Sequence, residues 1–230
     1  MNHQATAASI EAGHETEDSM HTAGKPVNTE VLIIGGGPAG STAAALLAEQ
    51  GFHVTLLEKC EHPRFHIGES LLPANMPLLD KLGVREQVAA IGMPKWGVEF
   101  NALENGKQTH IEFAEAWDKT MPYAYQVRRS EFDEVLFRNA QKKGAHGIEG
   151  CRVREVKFDD DHAYVKAQLA DGSLQDYIAD FVVDAEEPSS AMVNATGFRA
   201  LNPMPLQRIN SNVEGENLFE FYLFFVCLLS

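Results

Sequence analysis

The clearest pattern of apolar and polar positions lies between residues 31 and 59, in the stretch VLIIGGGPAGSTAAALLAEQGFHVTLLEK. Four apolar residues, Val31 to Ile34, lead into a glycine-rich turn. A segment of small residues follows, and a second apolar run, Val54 to Leu57, ends at Glu58. Short apolar runs are typical of buried strands, and the segment between them is long enough for a helix. The pattern therefore predicts a β-α-β unit.

Apolar residues return at helical spacing in three later segments, which predicts helices over residues 74–82, 84–91 and 129–142. Gly83 and Gly144 lie where two of these helices end. Strands are predicted over residues 95–100, 108–113, 123–127, 152–158, 163–169, 174–178 and 180–185. The Asn105-Gly106 and Asp171-Gly172 pairs favour hairpin turns between them. The fold class expected is α/β, a parallel core with antiparallel additions.

The glycine-rich turn has the spacing Gly35-x-Gly37-x-x-Gly40. In such a motif the first glycine allows the tight turn, the second lets the backbone approach a pyrophosphate, and the third lets the helix pack closely. The N-terminus of the helix then offers unpaired N–H groups to the phosphates. Glu58 follows Gly40 by 18 residues, where a carboxylate can accept hydrogen bonds from ribose. The segment predicts dinucleotide binding.

The charge of the chain excludes two classes of partner. The 230 residues allow one large domain or two small ones, and the formal net charge is -14. An acidic protein offers no basic face to neutralise phosphates, so nucleic acid is not expected as a partner. An anionic membrane surface is disfavoured for the same reason.

Cysteine and histidine spacings give no indication of a metal site. The three cysteines, Cys60, Cys151 and Cys227, are far apart, which favours free thiols in a reducing cytoplasm. His62 and His66 are four residues apart, but Pro63 between them argues against a shared helix face. No metal ligand set is predicted.

Both ends of the chain differ from the middle. Residues 1–27 are polar and aperiodic, without the apolar core of a signal peptide, and are expected to be a disordered leader. Residues 218–229 are strongly apolar but too few to span a bilayer, so they are expected to be a buried strand or helix that a partner or a missing segment covers.

Five segments together resemble the two-domain FAD-dependent monooxygenases of the aromatic-hydroxylase type, and within them the flavin-dependent halogenases. They are the glycine-rich stretch, PRFHIGESLLP, PKWGVEF, YQVRRSEFDEVL and DFVVDA. The resemblance covers about residues 29–200. It implies a Rossmann-like FAD-binding core with a parallel sheet, an antiparallel meander and the start of a substrate domain. The implied division is an FAD-binding domain at 28–94 and 122–200, a substrate-domain hairpin at 95–121, and the start of that domain at 201–230.

By this resemblance, a set of residues would contact FAD. The glycine-rich turn would hold the pyrophosphate and Glu58 the adenosine ribose. Arg64 and Arg129 would lie near the flavin or its phosphates, since the arginine fork suits phosphate. Gly68 and Ser70 would line the far side of the flavin. The full set is Gly35, Gly37, Pro38, Ala39, Gly40, Glu58, Lys59, Arg64, Gly68, Ser70, Arg129 and Asp184.

Lys95 is the candidate catalytic residue. Flavin-dependent halogenases use a lysine that receives hypohalous acid formed with FADH2, O2 and halide, and delivers the halogen to an electron-rich aromatic ring. Lys95 lies in the matching region. The resemblance also implies a small aromatic substrate and a separate flavin reductase that supplies FADH2.

The chain departs from the family at several points. Residues 186–188 are Glu-Glu-Pro where a small glycine-containing turn is usual, and two carboxylates there would repel a phosphate or flavin. The halogenase tryptophan-rich segment is absent, as only Trp96 and Trp117 occur. The later substrate-domain segments are also absent, which suggests a truncated or frameshifted N-terminal portion. The open alternatives are an aromatic hydroxylase, a prenyl-chain reductase, a non-catalytic FAD-binding fragment, and another kind of NAD-binding domain.

Overall fold

The computed structural model describes residues 24–102 and 106–186. The predicted β-α-β unit is present as β1 (Val27–Ile34), α1 (Pro38–Glu49) and β2 (Val54–Leu57). Strand β1 therefore includes Val27, the last residue of the predicted leader. The rest of that leader up to residue 23, Asn105 of the hairpin turn, and everything after Glu186, including the apolar tail, lie outside the described residues.

One six-stranded sheet forms the centre of the fold, with strand order β7-β2-β1-β10-β9-β8. Strands β7, β2, β1 and β10 are parallel, while β9 and β8 continue the sheet as antiparallel neighbours. Their bounds are β7 (His146–Ile148), β8 (Arg152–Phe158), β9 (Ala163–Gln168) and β10 (Leu174–Asp184). This confirms the α/β class and the predicted parallel core with an antiparallel meander.

Strand β10 is longer than predicted. The two predicted strands at 174–178 and 180–185 are one strand of 11 residues. Its first half pairs with β9 up to Ala179, and most of its length, Tyr177 to Asp184, pairs with β1. The two neighbours overlap along the strand, so the backbone stays extended through the position where the sequence suggested a break. Strand β7 was not predicted, because three residues are too few to show a pattern.

Apolar side chains of β1 alternate between two cores, as the strand period of two requires. Val31 and Ile33 join the core on the helical face, and Leu32 and Ile34 join the core under the meander. The helical face is covered by α1 and by α4 (Arg129–Lys142), whose bounds match the prediction. Helices α2 (Met76–Leu82) and α3 (Arg85–Ile91) extend that layer.

Two small sheets stand apart from the main one. Strand β3 (Met93–Lys95) pairs with β6 (Ala124–Gln126), and β4 (Gly97–Ala102) pairs with β5 (Lys107–Glu112). The predicted strand at 95–100 is thus divided between β3 and β4, because its two parts have different partners. Across the described ranges, no helix is both long and apolar enough to cross a membrane.

Candidate functional site

The candidate site lies at the carboxyl edge of the parallel strands. Ile34, the last residue of β1, is paired with Leu57 of β2 and with Asp184 of β10. The glycine turn, Glu58 and Asp184 therefore meet at one edge. In open parallel sheets ligands bind at this edge.

The glycine turn is shaped by close approach of backbone to backbone. A Cβ added to Gly40 would lie 1.9 Å from the carbonyl oxygen of Gly35, so no other residue fits there. Gly35 itself has φ of 100°, a left-handed conformation that favours glycine. Gly37 precedes α1, is only half-buried, and no side chain in the described part of the protein caps the helix start. The first N–H groups of α1 are thus left for a ligand or for water.

Glu58 is fixed against this turn. Its side chain is only 2% exposed. One carboxylate oxygen accepts a hydrogen bond from the Gly36 N–H at 2.7 Å, and the other accepts from the Cys60 N–H at 2.9 Å. The backbone at Gly36 lies too close for a side chain, since an added Cβ would be 2.8 Å from both Glu58 and the Phe137 ring.

Arg64 connects Glu58 to helix α4. Its Nη2 donates to Glu58 Oε2 at 3.3 Å, and its Nη1 lies 3.5 Å from Asp133 Oδ2. The guanidinium also faces the glycine turn, because Nη2 is 3.5 Å from the position that a Cβ on Gly37 would occupy. The buried Nε of Arg64 has no hydrogen-bond partner among the described residues.

Arg129 meets the same carboxylate from the start of α4. Its Nε and Nη2 donate to the two oxygens of Asp133 at 2.7 and 3.0 Å, and its Nη1 donates to the Ile67 carbonyl at 2.8 Å. Nη1 is also 3.2 Å from where a Cβ on Gly68 would lie. The structure thus brings Arg64, Arg129 and Gly68 together through Asp133. Sequence reasoning missed Asp133, although its four-residue spacing from Arg129 was a usable signal.

Glu186, which follows β10, is paired with a lysine. Glu186 lies beside Gly35, at 3.0 Å from an added Cβ, and its carboxylate is 3.4 Å from Lys59 Nζ. Asp184 accepts a hydrogen bond from the Glu186 N–H at 3.0 Å. The pairing with Lys59 offsets the charge that Glu186 would otherwise present to an anionic ligand.

Lys95 and Ser70 contact each other although 25 residues separate them. Lys95 Nζ donates a hydrogen bond to Ser70 Oγ and lies 5.6 Å from the centre of the Phe113 ring. Strand β6 brings them together, since Ala124 pairs with Lys95 and Gln126 with Ser70. Partial burial lowers the pKa of Lys95, because desolvation disfavours the ammonium form.

An aromatic cluster beside Lys95 was also missed by sequence reasoning. The ring of Trp96 lies 5.1 Å from that of Tyr123, which in turn meets Tyr125 edge-on at 5.6 Å. Arg85 donates to the Tyr123 hydroxyl at 2.9 Å, and this hydrogen bond lowers the pKa of Tyr123. Desolvation raises the pKa of Tyr125.

A second charged cluster anchors the segment that carries Arg64. Glu149 accepts hydrogen bonds from the backbone N–H of His62 at 2.7 Å and lies 2.9 Å from its Nδ1. Arg138 forms a two-point contact with the same carboxylate at 2.6 and 3.1 Å. His62 packs on the Phe137 ring at 4.8 Å.

In residues 24–102 and 106–186, no group of three or more His, Cys, Asp or Glu side chains is arranged to hold a metal ion.

These features fit a bound dinucleotide. The glycine turn admits close backbone approach, α1 begins with unpaired N–H groups, and a buried Arg64 donor at the turn lacks a partner in the described residues. Together, fold and site define a dinucleotide-binding protein of the α/β class.

The family comparison identifies the class. The family described as "FAD binding domain" matches residues 28–216, and the chain belongs to that family. FAD is its cofactor.

Named relatives confirm the resemblance to flavin-dependent halogenases. A tryptophan 2-halogenase of Chondromyces crocatus is 45% identical over 141 residues, which are 58% of this chain and 25% of that protein. A flavin-dependent halogenase of Armillaria mellea is 39% identical over 173 residues, 73% of this chain and 34% of that protein. The chain therefore spans about a quarter to a third of these relatives' length.

A solved halogenase structure is also similar to this chain. The myxobacterial chondrochloren halogenase CndH superposes with a TM-score of 0.67 at 34% identity, covering 72% of this chain and 38% of that one. Most of the fold of this chain is thus shared with part of a halogenase.

Proposed function

We propose that the protein is a flavin-dependent halogenase that uses FADH2, O2 and halide to halogenate a small electron-rich aromatic substrate. The halogenase relatives support the class, and the Lys95 environment is the observation that carries the chemistry. When bound, reduced FAD would supply the two electrons that reduce O2 to the peroxide level, which is the oxidant needed to convert halide to hypohalous acid. A separate flavin reductase is proposed to supply the FADH2.

Lys95 is proposed to react as a neutral amine with hypohalous acid, which releases water as a nitrogen–halogen bond forms. The halogen then passes to a carbon of the aromatic ring, and the proton that this carbon loses returns to the amine. Burial lowers the pKa of its ammonium group, which increases the fraction of neutral, nucleophilic amine. Ser70 Oγ fixes the amine in place, and the Phe113 ring excludes water from one side. The nearby Trp96 and Tyr123 rings offer a surface on which an aromatic substrate can stack.

The cofactor contacts are proposed on the geometry of the carboxyl edge. The turn from Gly35 to Gly40, including Pro38 and Ala39, would hold the pyrophosphate at the N-terminus of α1. Glu58 would accept from the adenosine ribose after releasing one of its present donors. The remaining proposed contacts are Lys59, Arg64, Gly68, Ser70, Arg129 and Asp184.

The proposed domain division follows the sheets. The six-stranded sheet and its helices support an FAD-binding domain at residues 28–94 and 122–200, and the separate β4–β5 hairpin supports a substrate-domain hairpin at residues 95–121. The start of the substrate domain is proposed at residues 201–230. The free Cys60 and Cys151 thiols support the proposal of a cytoplasmic location.

A second candidate function is FAD binding without stand-alone catalysis. It is favoured by the open surface next to Lys95, because the neighbouring Trp96 is 56% exposed. Small-molecule sites are usually concave and bury most of their ligand.

The first experiment is an absorbance spectrum of the purified protein after incubation with FAD and desalting. Retained flavin bands are expected. The FAD-loaded protein is then assayed with a flavin reductase, NADH and chloride or bromide, on tryptophan, a phenol and a pyrrole, with halogenated products detected by mass spectrometry.

We expect halide-dependent products that Lys95→Ala reduces by about 100-fold or more, in the range of losses for general acid–base groups. Lys81→Ala, an exposed lysine on α2, is the control and should keep full activity. Retained flavin without halogenated product would favour the second candidate. Hydroxylated product independent of halide and of Lys95 would contradict the halogenase proposal.

A further inference from the structure

The carboxylate of Asp133 lies between the two arginines proposed to contact FAD. Its side chain is 0% exposed. It accepts two hydrogen bonds from Arg129, at 2.7 and 3.0 Å, and lies 3.5 Å from Arg64 Nη1. One buried acid on α4 therefore serves two cations that come from different segments of the chain.

This arrangement exceeds what helix stability requires. An ordinary Arg–Asp pair four residues apart is exposed and contributes a few tenths of a kcal/mol. Here the Arg129 side chain is 12% exposed and that of Arg64 is 16% exposed. Two guanidinium groups held this close and largely out of water would repel each other without a shared counter-charge.

The shared carboxylate also determines the orientation of the two guanidinium groups. The two-point contact with Asp133 determines the plane of the Arg129 guanidinium. Its Nη1 is consequently directed at the Ile67 carbonyl and the backbone of Gly68. Arg64 is held between Asp133 and Glu58, where it lies against Gly37 and keeps a buried Nε without a partner among the described residues.

We propose that Asp133 is a positioning residue for cofactor binding, which holds Arg64 and Arg129 together with their remaining donors available to the phosphates of FAD. This inference rests on the cofactor roles proposed above for the two arginines. Asp133 acts through them and does not itself contact the cofactor, because its carboxylate is buried and would repel a phosphate.

The test is the FAD dissociation constant of Asp133→Asn, measured by quenching of flavin fluorescence, with the melting temperature of the apo-protein recorded in parallel. Asparagine keeps the size but removes the charge. We expect FAD to bind 10- to 100-fold more weakly, about the loss for removing one or two charge-assisted contacts. Glu134→Gln, the next residue on α4 in an exposed pair with Arg138, should leave the dissociation constant unchanged.

A double-mutant cycle separates positioning from structural support. Because Asp133 acts in part through Arg129, Asp133→Asn should weaken FAD binding by a clearly smaller factor in an Arg129→Gln background than in the unaltered protein. Multiplicative losses would overturn the inference. A lower melting temperature with unchanged FAD affinity would do the same, because it would show structural support alone.

Three further outcomes are decisive. If Asp133→Asn does not fold, the FAD dissociation constant of Asp133→Glu is measured instead, since this variant keeps the charge but moves it by one methylene. Weaker FAD binding is then expected. An unchanged FAD affinity overturns the inference. If the unaltered protein binds no FAD, the proposed cofactor roles fail and the positioning role fails with them. Normal binding by the unaltered protein and by Asp133→Asn rejects only the positioning role.

Discussion

At the scale of single residues, backbone distances explain why particular positions are glycine. Gly40 and Gly37 belong to the same motif but differ in what surrounds them. A Cβ on Gly40 would overlap the Gly35 carbonyl, whereas on Gly37 it would make an ordinary contact at 3.5 Å with Arg64. One glycine is therefore required by the fold, and the other faces the proposed ligand.

Gly40→Ala should destabilise the protein strongly, because α1 must move away from β1 to relieve a 1.9 Å contact. We expect a loss of about 3 kcal/mol or more, at the upper end of overpacking effects. Urea unfolding of the apo-protein measures it. Gly37→Ala is the matched control and should change stability by less than about 1 kcal/mol while weakening FAD binding. Equal stability of both variants would contradict this interpretation of the turn.

Cys151 illustrates a buried titratable group outside the site. Desolvation raises the pKa of its thiol to about 11 from a reference value of 9.0. The folded state thus favours the neutral thiol, and this contribution to stability is complete below pH 9 and is lost as the pH rises toward 11.

We therefore expect the free energy of unfolding to fall more steeply between pH 9 and 11 in the unaltered protein than in Cys151→Ala. The difference should reach about 2 to 3 kcal/mol, at 1.36 kcal/mol per pKa unit. Denaturant unfolding at several pH values measures it. Parallel pH profiles would show that Cys151 does not titrate differently in the folded state.

At the scale of elements, α4 connects the core to the site. Its inner face carries Phe132 and Phe137, both nearly fully buried. The Phe137 ring lies under Gly36 of the glycine turn and Gly147 of β7, where added Cβ atoms would come within 2.8 and 2.9 Å. The same helix begins with Arg129 and carries Asp133, so one element supports the turn and supplies charge to it.

Phe137→Ala should lower the free energy of unfolding by about 3 to 5 kcal/mol, the usual cost of removing a buried aromatic side chain. It should also weaken FAD binding, since the ring supports Gly36 and contacts His62. Phe158→Ala, on the half-exposed edge strand β8, is the control and should stay within about 0.5 kcal/mol. Chemical denaturation compares the two, and similar losses would contradict the assigned role of Phe137.

At the scale of the whole molecule, the parallel sheet gathers the site from segments far apart in the chain. Glu58 follows β2, Asp133 lies on α4 and Asp184 ends β10, yet each lies near the glycine turn or the arginines next to it. The small β3–β6 sheet similarly joins Lys95 to Ser70. The topology thus places the proposed phosphate contacts and the proposed catalytic lysine on segments that neighbour each other.

The sequence by itself determined the β-α-β unit, the fold class, helix α4 and the glycine motif. These are local features, since strand and helix periods and the requirement for glycine act over a few neighbouring residues. Tertiary structure decided the unbroken β10, the short β7, the Glu58–Arg64–Asp133–Arg129 network and the Lys95–Ser70 contact. Each of these depends on pairing or burial between distant segments, which a local pattern does not encode.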